Sequence, residues 1–146
     1  MNRHSALIVL AAGALAGCSA TTSFTSAQDG STLQVKESTG TAVPRTEKFG
    51  TTTFGNYEFK VESPGFEPFY GVLPLDLSGG NIALDILFFC PALFFNIREV
   101  FPEYEFDLSQ RVIRYREKPT QPWTEYRPTE AETARAQRLF GPPPTH

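Results

Sequence analysis

The segment NYEFKVES, Asn56 to Ser63, decides how the rest of the chain is read. Tyr57, Phe59 and Val61 alternate with Glu58, Lys60 and Glu62, the period of two that a β-strand needs when one face is dry and the other wet. Gly55 bounds it on one side and Pro64-Gly65 on the other, both turn signals. A strand with one apolar face must be covered, so the neighbouring sequence is expected to supply further strands.

It does so repeatedly. In STLQVKE (31–37), Leu33 and Val35 share one face while Gln34 and Lys36 share the other. PFYGVLPLDLS (68–78) places Leu73, Leu75 and Leu77 on one side, with Pro74 marking an edge or irregular strand. EYEFDL (103–108) alternates again, and RVIRYR (111–116), beyond Ser109-Gln110, is its expected hairpin partner. Short strands at this spacing predict a mainly β fold: a small antiparallel β-sandwich over residues 31–116, with an apolar insertion at 82–97 and a short C-terminal helix.

The run from Ser31 to Gly40, followed by GNYEFKVESPGFEPF, resembles a PEGA-type domain, a small β-sandwich of bacterial surface and envelope proteins. The resemblance is carried by Gly55, Tyr57, Phe59, Val61, Gly65 and Phe66. It implies a binding or scaffolding module rather than a catalyst.

Composition sets the outer bounds. A chain of 146 residues, 40% of them hydrophobic, has room for one compact domain. Its net charge of −3, with both signs interleaved, offers no positive field for a polyanion, so nucleic acid is excluded as an expected partner. Thirteen Phe, 11 Gly and 12 Pro suit short strands and turns.

The N-terminus carries an address. Met1 to His4 is polar and includes Arg3, Ser5 to Gly17 is small and apolar, and the run stops at Cys18, the layout of an export signal. As a helix, the apolar part would span only about 20 Å, short of the roughly 30 Å of a bilayer core. Leu15-Ala16-Gly17-Cys18 resembles the lipobox of bacterial lipoproteins. That resemblance implies a diacylglyceryl group on the Cys18 sulfur, removal of residues 1–17, and N-acylation of Cys18 by a fatty acyl chain such as palmitate. Several acyl chains hold a protein on a membrane far more durably than one. Ser19, where enterobacterial sorting would read Asp as a retention signal, implies the outer membrane, with the domain on its periplasmic face. Residues 18–30, SATTSFTSAQDG after the cysteine, lack periodicity and are expected to form a flexible tether. With Cys18 consumed by lipid, Cys90 is left as the one thiol.

Residues 82–97, IALDILFFCPALFFNI, form the most hydrophobic stretch after the signal. At roughly 24 Å as a helix, interrupted by Asp85 and Pro91, it is too short to span. Two readings stand: a core element packed over the sheet, or a helix or hairpin at the bilayer interface, with Leu87, Phe88, Phe89, Leu93, Phe94 and Phe95 touching lipid or an apolar ligand.

Chemistry-bearing clusters are sparse. His146 is the one histidine left after signal removal and lies in the tail GPPPTH, so neither a Ser-His-Asp site nor a zinc site is expected, and no cofactor beyond the lipid on Cys18. Glu103, Glu105 and Asp107 fall on one strand face, which predicts a solvated surface with Arg111, Arg114 and Arg116 facing it. Residues 117–146 read as a Pro-rich arm, a short helix begun by a Thr129/Glu132 capping box, and a tail. Trp123 and Tyr126 either clamp the arm onto the domain or meet a partner; packing on the chain's own core is the expectation. The functional expectation is a non-catalytic, lipid-anchored envelope adaptor with an envelope protein as partner. The alternative is a carrier of an apolar ligand or lipid that uses residues 82–97.

Overall fold

A computed structural model describes residues 19–36, 38–50, 56–77 and 98–141. The fold is mainly β, with eleven strands and one helix among those residues. In chain order these are β1 (Ser19–Ser26), β2 (Thr32–Val35), β3 (Thr41–Ala42), β4 (Arg45–Gly50), β5 (Glu58–Glu62) and β6 (Phe69–Val72). They continue with β7 (Leu75–Leu77), β8 (Arg98–Val100), β9 (Glu103–Asp107), β10 (Val112–Arg116), β11 (Thr124–Tyr126) and the helix α1 (Glu130–Phe140). A five-stranded sheet runs β11-β10-β9-β1-β4, a four-stranded sheet runs β3-β2-β5-β6, and β7 and β8 form a two-stranded ribbon. Every pairing is antiparallel except that of β1 with β9.

The period-two reading of β5 holds. Tyr57, Phe59 and Val61 are buried, and on the facing sheet Phe24, Tyr104, Phe106 and Ile113 are fully so. Aromatic rings tie the sheets together. Phe59 meets Phe106 at 5.0 Å between centroids and Phe49 meets Tyr57 edge-on at 5.0 Å, while within the five-stranded sheet Phe24 stacks on Tyr104 at 5.6 Å. Such offset and edge-to-face pairs add roughly 0.5–1.5 kcal/mol each beyond the area they bury. The expected hairpin is present, with Ile113 opposite Phe106 and Arg114 opposite Glu105.

Three expectations require correction. Ser19–Ser26, expected to be a tether, is an interior strand of the five-stranded sheet, between β4 and β9. Thr22 is fully buried and Ser26 half-buried, and the hydroxyls of both bond to the backbone. Thr22 Oγ1 donates to the Phe101 carbonyl at 3.0 Å, and Ser26 Oγ to that of Phe106 at 3.3 Å. A buried hydroxyl satisfied in this way carries little desolvation cost. Second, 68–78 is not one strand: β6 belongs to the four-stranded sheet and β7 to the ribbon, with Leu73-Pro74 between them. The break is held in place by Tyr104, whose hydroxyl donates to the Pro74 carbonyl at 2.7 Å and accepts from the Phe101 amide at 2.9 Å. Third, the boundary at 116 dissolves, because the Pro-rich arm contains β11, which extends the five-stranded sheet antiparallel to β10.

The capping box at Thr129 and Glu132 forms as expected, and α1 packs against β6 and β5. Ala136 is buried, whereas Leu139 stays half exposed. Arg135 ties the helix to the sheet by pairing with the buried Glu58 carboxylate. Thr133 Oγ1 reaches the Tyr70 carbonyl at 3.4 Å. The signal peptide, Cys18, the 82–97 insertion with Leu87, Phe88, Phe89, Leu93, Phe94 and Phe95, Cys90 and residues 142–146 lie outside the described residues. Among the described residues, no helix is long and apolar enough to cross a membrane.

Gly71 sits where the arm crosses the sheet. A Cβ there would lie 2.5 Å from Pro128 Cγ and 2.9 Å from Phe59 Cε1, with the ring of one and the core position of the other resisting displacement. Gly71→Ala is therefore expected to destabilise the fold by about 1–3 kcal/mol, as overpacking does. A lowered urea midpoint checks this, and an unchanged midpoint would mean that the Pro128 segment yields freely.

Candidate functional site

The outer face of the five-stranded sheet carries a ladder of charges set by the register. Arg114 spans three carboxylates: Glu105 at 2.8 Å, Asp107 at 3.3 Å and Glu125 at 3.0 Å. Arg116 pairs with Glu103, and its guanidinium lies 4.2 Å from the Trp123 ring centroid. The expected solvated acidic face is thus an ion-paired one, and Asp107 is buried at 5% exposure. Arg111, expected to join it, turns away with φ +54° and approaches Glu67 at 4.0 Å.

Asp107 is buried because it organises a loop. Its Oδ1 accepts from Ser109 Oγ at 2.6 Å, the Gln110 amide at 3.1 Å and Gln28 Nε2 at 3.2 Å. Gln28 Oε1 in turn accepts from the Leu108 amide at 2.9 Å, so one side chain fastens the β1–β2 turn to the β9–β10 turn. Burial pushes the Asp107 carboxyl up, but the bonds from Ser109, Gln110 and Gln28 and the nearby Arg114 charge outweigh it. The group therefore titrates below the ordinary carboxylate range. Nothing local in SAQDG identifies Gln28 as this fastener, since its partners lie about eighty residues away.

Beneath α1 lies a cleft of about 520 Å³, walled by Val72, Leu73 and Leu75, by Tyr115 and Tyr126 from the five-stranded sheet, and by Arg135 from the helix. The Tyr126 hydroxyl donates to Glu132 Oε2 at 2.6 Å, and the same oxygen accepts from the Thr129 amide at 2.8 Å. Burial, reinforced by the Glu132 carboxylate, pushes the Tyr126 phenol up to about 12. Tyr115 also borders a second cleft of about 350 Å³ with Phe101, Gln121 and Pro122. Tyr126, Glu132 and Arg135 of the first cleft are engaged in holding the helix, which suits contact with an apolar or aromatic surface rather than proton transfer.

The two aromatics expected to clamp the arm or to meet a partner do not share a face. Trp123 and Tyr126 are three residues apart along an extended segment and so point to opposite faces. Tyr126 packs inward against the core, as expected. Trp123 does not: it stays 36% exposed beneath Arg116, which corrects the expectation of a core clamp. The possible contact residues Leu87, Phe88, Phe89, Leu93, Phe94 and Phe95 fall outside the described residues. Glu103, Glu105 and Asp107 line neither cleft. Among the described residues there is also no group of three His, Cys, Asp or Glu arranged to hold a metal.

No family model, curated protein or solved structure matches this chain.

A carboxyl whose pKa is depressed by folding adds stability above its unfolded value and loses it as pH falls through the folded value. The Asp107 contribution should therefore be intact at neutral pH and disappear below about pH 4. Asp107→Asn is expected to cost about 1.5–3 kcal/mol at pH 7, the worth of buried hydrogen bonds to a charged group. It should also flatten the acid limb of stability, as measured by urea unfolding at pH 7 and pH 3.

Proposed function

We propose that this chain is a lipid-anchored protein of the bacterial cell envelope, acting as a non-catalytic structural or adaptor module on the periplasmic face of the outer membrane. The observation that carries this reading is the order charge, short apolar run, Leu15-Ala16-Gly17, Cys18. An apolar run too short to span, ending on a cysteine, suits removal and lipidation rather than permanent insertion. The first described strand starts at Ser19, so a cut before Cys18 would leave every described strand intact. The PEGA-type scaffold reading is supported by Tyr57, Phe59 and Val61 lying together in the core. The adaptor role draws its support from ion-paired carboxylates and from a cleft in which Tyr126, Glu132 and Arg135 already have partners. Its partner is an envelope protein.

The alternative, a carrier of an apolar ligand, is favoured by the 520 Å³ cleft, which falls within the size range of small-molecule sites and has Val72, Leu73 and Leu75 in its wall. Organic extraction of the purified protein should then release a stoichiometric apolar compound, and Leu75→Trp should abolish its retention.

For the anchor, intact mass of material from a native envelope is expected to lack residues 1–17 and to carry acyl mass on Cys18. Cys18→Ser should leave an unprocessed precursor that takes up no labelled palmitate. A mature protein that retains Met1, or an unmodified Cys18, would overturn the proposal.

A further inference from the structure

The placement of β1 determines how an anchored domain would stand. Ser19 is already paired with Gly50, so the sheet begins one residue after Cys18. Consecutive Cα atoms are about 3.8 Å apart, which leaves no slack between the acylated residue and the sheet. From Ser19 to Ser26 the strand runs about 23 Å and defines a long axis with two poles.

The Ser26 pole gathers the turns. Gln28 joins the β1–β2 turn to Asp107 and Leu108, and Gly30 lies beside Pro64, which opens the turn carrying the exposed Phe66. The Ser19 pole gathers the end of β4, the end of β7 and the start of β8. Gly50, the last residue before 51–55, pairs with Ser19. Thr22 Oγ1 bonds Phe101 O and the Ser23 amide bonds Pro102 O, which sets β8 beside the first half of β1. β8 opens with Arg98 paired to Leu77, the last residue of β7, so the two residues that flank 78–97 in sequence lie side by side on this pole. Arg116 is level with Glu103 and hence with Ser23, and the following turn, closed by the Gln121 amide on Lys118 O, projects the same way.

We propose that this pole is a membrane-docking surface. The sandwich stands end-on on the bilayer, with Ser19, Gly50 and the Leu77–Arg98 pair toward the headgroups, and the turns at Gly30, Phe66 and Gln110 held away by the length of β1. The occupant is a lipid bilayer, because an acylated Cys18 cannot leave it and because the most apolar stretch of the mature sequence is attached at the same pole. The inference rests on the anchoring reading above.

The test uses the lipidated full chain in vesicles of phosphatidylethanolamine and phosphatidylglycerol carrying a nitroxide-headgroup lipid. In a Trp123→Phe background, Lys118→Trp places the one fluorophore at the Ser19 pole and Phe66→Trp places it at the other. Gln121→Trp and Gln110→Trp, also exposed turn positions, repeat the comparison should either member of the first pair fail to fold. Quenching is expected to be several-fold stronger at 118 and 121 than at 66 and 110. Co-flotation of the protein with equal quenching at the two poles, or stronger quenching at 66 and 110, would overturn the end-on orientation while leaving the anchor intact. A protein that fails to float and carries no acyl mass would overturn the anchor, and the orientation with it.

Discussion

β1 can be an interior strand only if its inward hydroxyls find acceptors, and the structure meets that condition with carbonyls from the 101–106 segment. Thr22 and Ser26 bond to those carbonyls on either side of Phe24, whose ring packs against Phe49, Tyr104 and Phe106. The same strand hydrogen-bonds to β4 on one edge and to β9 on the other. Without it, the two-stranded β7–β8 ribbon would lose a neighbour and the β9–β10–β11 hairpins would lose their link to β4. The fold thus depends on a polar segment satisfied internally rather than on a hydrophobic one.

Hydropathy misses this feature for a physical reason. Alternation exposes a strand when one face is apolar, and β5, β9 and β10 announce themselves through Tyr57, Phe59 and Val61, through Tyr104 and Phe106, and through Ile113 and Tyr115. In SATTSFTS Phe24 is the one large apolar residue, too few for an alternating pattern, and the distant carbonyls that accept from Thr22 and Ser26 distinguish an interior strand from a coil. β11 is hidden differently. The prolines at 119, 122 and 128 flank Thr124–Tyr126 instead of interrupting it, so a three-residue strand sits inside a segment whose composition suggests an extended arm. The cap of α1 was legible because its two residues are neighbours in sequence, whereas the Arg135–Glu58 pair was not, its members being 77 positions apart.

The site follows the same rule. Spacing of two correctly placed Glu103, Glu105 and Asp107 on one face, and register gave them Arg114 and Arg116 as partners. Spacing carries no information about depth, and the burial of Asp107 comes from Gln28, on a turn that reaches it only in three dimensions. Likewise the clefts on either side of Tyr115 are made by residues from the ribbon, the second hairpin and the terminal helix, elements that no local pattern brings together.

The pairing of β1 with β9 also orders events in time. Ser23 to Ser26 meet Glu103 to Phe106 across about eighty intervening residues, and loop closure of that span must precede any reward from the contacts. A chain emerging N-terminus first, from a ribosome or through a translocation channel, cannot complete its larger sheet until Tyr126 of its 146 residues is out. An unfinished sheet of this kind keeps the nascent polypeptide threadable for longer than a hairpin-first topology would.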